Sequence, residues 1–296
     1  MPRILEQLII ASAPPVFVVL WSSGFIGAKL GLGYSGPLTF LSLRMIFLVV
    51  LLWAVILVTR PKWPDGAGFF HSAVTGLLVH GFYLGGVFTA IENGLSAGLV
   101  ALVVSLQPVL TSTIANRWLG ERVAPRQWLG LALGLIGVYL ILRDNIATGA
   151  TTPLAWLAAT LALVGITVGT LYQKRFGGGI DLRVGLWVQF AAAGALFMLG
   201  AAVFEDRVVH WSPQFVFALA WLVFVLSLGA IWLLYFLIRR SAATRVVSWF
   251  YLTPPVTALM AWLWFGERLA PLALVGMTIC VVGVFLVNWR PVGAAA

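Results

Sequence analysis

Few residues in this chain carry reactive chemistry, and those that do fall into small, widely separated sets. His80 and Tyr83 stand three residues apart, a spacing that puts two side chains on one helix face within reach of a shared ligand. Ser105 with Gln107, Trp232 with Tyr235, and Ser248 with Tyr251 form three further sets of hydroxyl, amide and aromatic groups. Such groups offer hydrogen bonds and ring faces, the chemistry of non-covalent recognition of a small polar molecule. Pro108 and the pair Pro254 and Pro255 lie within a few residues of two of these sets. A proline inside a helix removes a backbone donor and frees a carbonyl one turn earlier, so these three mark expected helix breaks and gates. His80, Tyr83, Ser105, Gln107, Trp232, Tyr235, Ser248 and Tyr251 are therefore the expected substrate-binding residues, with no catalytic residue and no metal among them.

Other chemistries fail on context. Gly94-Leu95-Ser96-Ala97-Gly98 spells a hydrolase nucleophile elbow but lacks a preceding strand and its histidine and acid partners. Gly31 to Gly36 spells a dinucleotide fingerprint without the βαβ unit that would position a pyrophosphate. The single cysteine, Cys280, sits in an apolar run and reads as a packed thiol. Glu205, Asp206 and His210 lack metal-ligand spacing, so no metal and no cofactor is expected. All nine acids, namely Glu6, Asp65, Glu92, Glu121, Asp144, Asp181, Glu205, Asp206 and Glu267, fall in expected loops or at span edges.

The elements that must hold these groups are membrane helices. The chain has 296 residues, 61% of them hydrophobic and only 9% charged, with a mean hydropathy of +1.04. A soluble domain carries about 25% charged residues, so a water-facing surface cannot be made from this composition. Apolar runs punctuated by polar, Gly or Pro residues predict ten spans, near 14–30, 38–58, 69–91, 96–118, 125–142, 154–174, 184–204, 213–238, 243–265 and 271–289. The period-2 alternation of a membrane β-barrel is absent, which leaves an all-α bundle. With ten spans both termini share a side, and that side carries thirteen Lys and Arg residues against Arg143, Arg207 and Arg268 opposite. The positive-inside rule then makes both termini cytoplasmic in a multi-pass protein of the cell (inner) membrane. The net charge of +9 is thereby orientation, and nucleic acid is not an expected partner. Lys29, near the end of span one, and Arg44, six residues into span two, are expected to snorkel to the outer interface or pack, with lining of an outer vestibule as the alternative.

A self-comparison at an offset of 146 superimposes Leu119-Gly120-Glu121-Arg122-Val123-Ala124-Pro125 on Phe265-Gly266-Glu267-Arg268-Leu269-Ala270-Pro271. Over residues 106–142 the register gives 14 identities in 37 positions, Pro108 on Pro254 among them. Two units are expected, 1–146 and 147–296, of five spans each. An odd number of spans inverts the second unit relative to the first, the arrangement in which secondary transporters bind substrate between their halves. The Gly-Glu-Arg turns read as tight hairpins closed by Gly and reopened by Pro. The glycine rows at 130, 134 and 137 and at 165 and 169 read as close helix packing within the bundle.

The paired Gly-Glu-Arg turns, Gln107-Pro108, and Trp21-Ser22-Ser23-Gly24 with Lys29 resemble the drug/metabolite transporter superfamily, EamA type. The stretch His80 to Phe88 resembles its bacterial exporters, including YddG-type aromatic amino-acid exporters. The resemblance covers essentially the whole chain. It implies ten helices in two inverted five-helix repeats around a central cavity, and export of metabolites by alternating access. The expected partners are a small-molecule substrate, an amino acid or similar metabolite, and the lipid bilayer, with a monomer as the working unit.

Overall fold

The computed structural model describes residues 2–31, 33–95, 97–143, 151–265 and 270–289. Among them the chain is helical apart from an isolated bridge between Ser35 and Val209. The helices are α1 (Pro2–Gly31), α2 (Pro37–Thr59), α3 (Gly66–Glu92), the broken pair α4a (Ala97–Val104) and α4b (Gln107–Trp118), and α5 (Pro125–Leu142). The second half supplies α6 (Pro153–Phe176), α7 (Leu182–Phe204), α8 (Pro213–Arg240), the broken pair α9a (Ala243–Ser248) and α9b (Thr253–Phe265), and α10 (Pro271–Asn288). Seven of these, α2, α3, α5, α6, α7, α8 and α10, are long and apolar enough to cross a bilayer. Helix α1 starts at Pro2, well before the expected 14, and runs through Pro14 and Pro15.

Helix pairing follows an exchange of the two halves. Helix α3 packs on α6, and its counterpart five helices on, α8, packs on α1. Likewise α2 packs on α7, α5 on α10, and α4b on α9a. The tightest crossing is α5 with α10, where glycines bring backbone against backbone. A Cβ on Gly130 would lie 2.6 Å from the Gly283 carbonyl oxygen, and one on Gly276 2.6 Å from that of Gly137. The offset of 146 carries 130 to 276 and 137 to 283, so the two contacts interchange under it. The glycine row therefore packs internally, as does Gly165, which lies against the Leu78 carbonyl of α3.

Helix ends are held by the few charges available. Asp65 accepts the Gly68 amide at 2.8 Å and starts α3; Asp181 accepts that of Arg183 at 2.9 Å and starts α7. Two other carboxylates cap helices distant in sequence. Glu205 accepts the Leu38 and Thr39 amides at 2.7 and 2.8 Å to start α2. Glu121 accepts the Ala243 amide at 2.8 Å to start α9a. The first Gly-Glu-Arg turn is thus a hairpin, with Gly120 at φ +68° and Pro125 opening α5, whose glutamate also locks the other half of the molecule. Basic side chains serve the opposite ends: Lys174 donates to the Ile238 carbonyl at 2.7 Å and to Ser241, Arg175 to Trp118 at 2.7 Å, and Arg239 to Gly177 at 2.7 Å and to Ile180. The second Gly-Glu-Arg turn and the Lys29 side chain lie outside the described residues. Asp181 is paired with Arg183 at 2.7 Å, and this hydrogen-bonded guanidinium holds its carboxyl below the usual carboxylate range.

Gly130→Ala should destabilise the protein by about 1–3 kcal/mol, since the backbones of α5 and α10 must separate to admit a methyl group. A melting temperature in detergent equal to wild type would show that this crossing is not a fixed contact. Glu121→Ala should lower stability by about 1–2 kcal/mol, the loss of an N-terminal cap on α9a. Chemical denaturation of purified protein reads this directly, and an unchanged midpoint would contradict the capping geometry.

Candidate functional site

Four helices depart from α geometry at corresponding levels, and the site lies where they do. In α3 the turn Leu77–Phe82 is π-helical, and in α8 so is Leu222–Ala230. The offset of 146 carries 77–82 onto 223–228, so the widened turns are equivalents. Helix α4 breaks at Ser105–Leu106 before Pro108, and α9 tightens to a 3-10 turn at Trp249–Leu252 before Pro254 and Pro255, again at the same level of each half. A π turn places one extra residue in a helix and concentrates at functional positions. No sequence period reports it, which is why only the proline breaks are legible beforehand.

The π turn of α3 carries His80, 2% exposed, its ring centroid 4.7 Å from that of Phe190. Its Nε2 has no partner among the described residues. Tyr83, one turn on, stacks on Trp21 of α1 at 6.5 Å with an interplanar angle of 18°. Tyr235 of α8 is fully buried and donates its hydroxyl proton to Gln189 Oε1 at 2.7 Å. Gln189 in turn donates to Gln173 Oε1 at 3.4 Å. Helices α3, α6, α7 and α8 thus bring His80, Gln189, Gln173 and Tyr235 into one buried polar group. A narrow crevice of about 10 Å³, room for about one water, is lined by Ser72, Thr75, Gln173, Gln189 and Arg239 at the end of the bundle where α6 meets α7.

The remaining expected residues have other surroundings. Gln107 is 1% exposed at the start of α4b, with Nε2 unpartnered, and Thr111 one turn on is equally buried and unpartnered. Ser105 spends its hydroxyl proton on the Leu102 carbonyl at 2.6 Å, within the break itself. Ser248 donates to the Arg245 carbonyl at 2.8 Å and accepts from Asn288 at 2.9 Å, so it ties α9a to α10. Tyr251 is fully buried against α5 and α10, its ring beside Gly134 and its hydroxyl unpartnered. Trp232 instead lies half-exposed on the outer side of α8, stacked on Phe236 at 5.5 Å, apart from the buried group. Pro108 is buried in the α4 break and Pro255 in that of α9.

Arg44 departs from the sequence expectation. Rather than snorkelling, it is 3% exposed and turned into the bundle, where Nε and Nη2 donate to Ser227 Oγ at 3.0 and 2.7 Å. Ser227 belongs to the π turn of α8. Arg44 is within electrostatic reach of both His80 and Tyr83, so it joins the same site. The signal was present: a lone arginine inside a run of apolar residues has to find partners in the protein interior.

Two regions of the chain, residues 15–143 and 153–289, each match the EamA-like transporter family. The chain is 29% identical over 283 residues to "Uncharacterized transporter YvbV" of Bacillus subtilis, covering 92% of this chain and 89% of that protein. It is 26% identical to "Probable amino-acid metabolite efflux pump" of Escherichia coli, over 92% of this chain and 94% of that one. It is 29% identical to "Probable terminal-alkyne amino-acid exporter" of Streptantibioticus cattleyicolor, over 93% and 92%. A crystal structure at 20% identity superimposes with a TM-score of 0.77, covering 93% of this chain and 95% of that chain, which establishes the likeness of fold. With two matched regions that together span most of its length, and an all-helical architecture of several membrane-crossing helices, this chain is a member of the EamA-like transporter family.

Proposed function

We propose that the protein is a secondary exporter or facilitator of small neutral or zwitterionic metabolites, amino acids including aromatic ones, working by alternating access between residues 1–146 and 147–296. In this reading the chain crosses the inner membrane ten times with both termini cytoplasmic, and a single copy suffices. The observation that carries it is the buried polar group around His80, Gln189, Tyr235 and Arg44, flanked by matched π turns in α3 and α8, with Gln189 also lining the narrow crevice at one end. The basic residues Lys174, Arg183 and Arg239 at that end support a cytoplasmic side for it. The crevice is then the inner vestibule, and the π turns are the points where α3 and α8 change register as the halves rock. Two relatives, one named a probable amino-acid metabolite efflux pump and one a probable terminal-alkyne amino-acid exporter, support this substrate class.

The groups that line the site favour a molecule with an aromatic or apolar body and a compact polar end. Tyr83, Trp21, Tyr235 and Phe190 offer ring surface, and His80 offers an unpartnered Nε2. A buried guanidinium argues against the cationic drugs carried by other transporters, because like charges at short range in a low dielectric repel strongly. The described acids Asp65, Glu121, Asp181 and Glu205 are engaged as helix caps, Asp206 accepts the Val208 amide and Glu92 is exposed at the end of α3, so His80 is the buried group placed to couple protons.

Proteoliposomes preloaded with unlabelled amino acids should exchange labelled tryptophan, phenylalanine and threonine without any ion gradient. An imposed pH gradient should leave the final level unchanged. Accumulation driven by the pH gradient and lost in His80→Asn would replace facilitation with proton coupling. Absence of exchange for every amino acid would overturn the substrate class.

A further inference from the structure

We propose that Arg44 is the anchor for the substrate's carboxylate, seated against Ser227 between the π turns of α3 and α8. This deepens the transport reading and rests on it. The argument begins with an electrostatic imbalance. Arg44 is 3% exposed, and its two hydrogen bonds go to one neutral hydroxyl. Among the described residues no carboxylate pairs with it. Asp65, Glu121, Asp181 and Glu205 are committed to helix N-termini, Asp206 accepts the Val208 amide, and Glu92 is exposed at the end of α3. The ionisable groups facing Arg44 are Tyr83 and His80, neither of which is an anion at neutral pH. A guanidinium in such a place is incomplete without an anion, since buried charges are otherwise paired.

The geometry selects the anion. Nε and Nη2 form one edge of the guanidinium fork, and both point at Ser227 Oγ. That edge is spaced to take both oxygens of a carboxylate, with the serine hydroxyl moving aside to donate to the same group. Ser227 sits in a π turn, whose extra residue gives its side chain room to yield, and His80, with an unpartnered Nε2, sits in the matching turn of α3. The ring surface of Tyr83 and Trp21 lies beside this point, suited to the body of an aromatic substrate. A molecule carrying both a carboxylate and an apolar side chain would complete the site; the same molecule without its carboxylate would leave the guanidinium as unpaired as before.

The probes are L-phenylalanine, 3-phenylpropionate, which lacks the ammonium, and 2-phenylethylamine, which lacks the carboxylate. Ligand-induced thermal stabilisation of purified protein, together with inhibition of counterflow, should rank phenylalanine and 3-phenylpropionate far above phenylethylamine. Arg44→Gln should lose both carboxylate responses by at least tenfold, Arg44→Lys should keep a weakened response, and Ser227→Ala should shift affinity several-fold while leaving the fold intact. A second readout separates anchoring from architecture. Ligand-free Arg44→Gln should melt about 2–4 °C higher than wild type, because it removes an uncompensated charge; a strut would melt lower. Equal responses to phenylalanine and phenylethylamine would overturn the anchor and leave amino-acid transport standing. A response to 3-phenylpropionate without one to phenylalanine would keep the anchor and overturn the amino-acid reading. Stabilisation by inorganic phosphate or chloride but by no carboxylate, or unaltered phenylalanine binding in Arg44→Gln, would overturn the anchor outright.

Discussion

Hydrocarbon cannot hydrogen-bond, so a chain that lives in it must satisfy every polar group from within. With 9% charged residues, this protein has few groups to spend and each is placed accordingly. Glu121 and Glu205 close helix N-termini more than a hundred residues away in sequence, and Lys174, Arg175 and Arg239 close C-termini. These bonds do more than silence helix ends. Glu121 fixes the start of α9a from the α4b–α5 turn, and Glu205 fixes the start of α2 from the end of α7, so each ties one half of the molecule to the other.

The same constraint explains the shape of the irregularities. Where α4 and α9 break, serine hydroxyls donate back to the Leu102 and Arg245 carbonyls. Where α3 and α8 widen, the extra residue in each π turn stays within a helical hydrogen-bond pattern. Both kinds of irregularity recur at the same level of the two halves. The glycine crossing of α5 and α10 is a close backbone contact whose two halves interchange under the offset of 146. A molecule built this way keeps its symmetric frame stiff and concentrates its adjustable backbone around one buried polar group.

Magnitudes place Arg44 apart from the other polar residues. Burying an arginine at the centre of a bilayer helix costs about 2.5–3.5 kcal/mol on insertion scales. A hydrogen bond from a charged group returns about 1.5–3 kcal/mol. With one neutral hydroxyl as acceptor the cost exceeds the return by about 0.5–1 kcal/mol, so this arginine subtracts from folding. Tyr235 with Gln189 is the opposite case, a neutral pair whose bond satisfies both partners and holds α8 to α7. The first is incomplete without an external anion; the second is complete as it stands.

Composition and the duplicated Gly-Glu-Arg turns alone determined that the chain is an all-helical membrane protein of two related halves, because lipid allows a bundle little else and a repeat at an offset of 146 leaves its identities in the sequence. The proline breaks were legible for the same local reason: a missing N–H is a property of one residue. Gly130 to Gly137 announced close packing by residue size, though not their partners. The tertiary structure decided everything that depends on which helix faces which. It turned Arg44 inward onto Ser227, joined Gln189 to Tyr235, and left Trp232 on the outer side despite its position three residues from a buried tyrosine. It also placed His80 and Ser227 in matched π turns, which have no sequence period. In a chain apolar on nearly every face, periodicity carries no record of facing, and partners that are 46 to 183 residues apart can be identified only once the helices are packed.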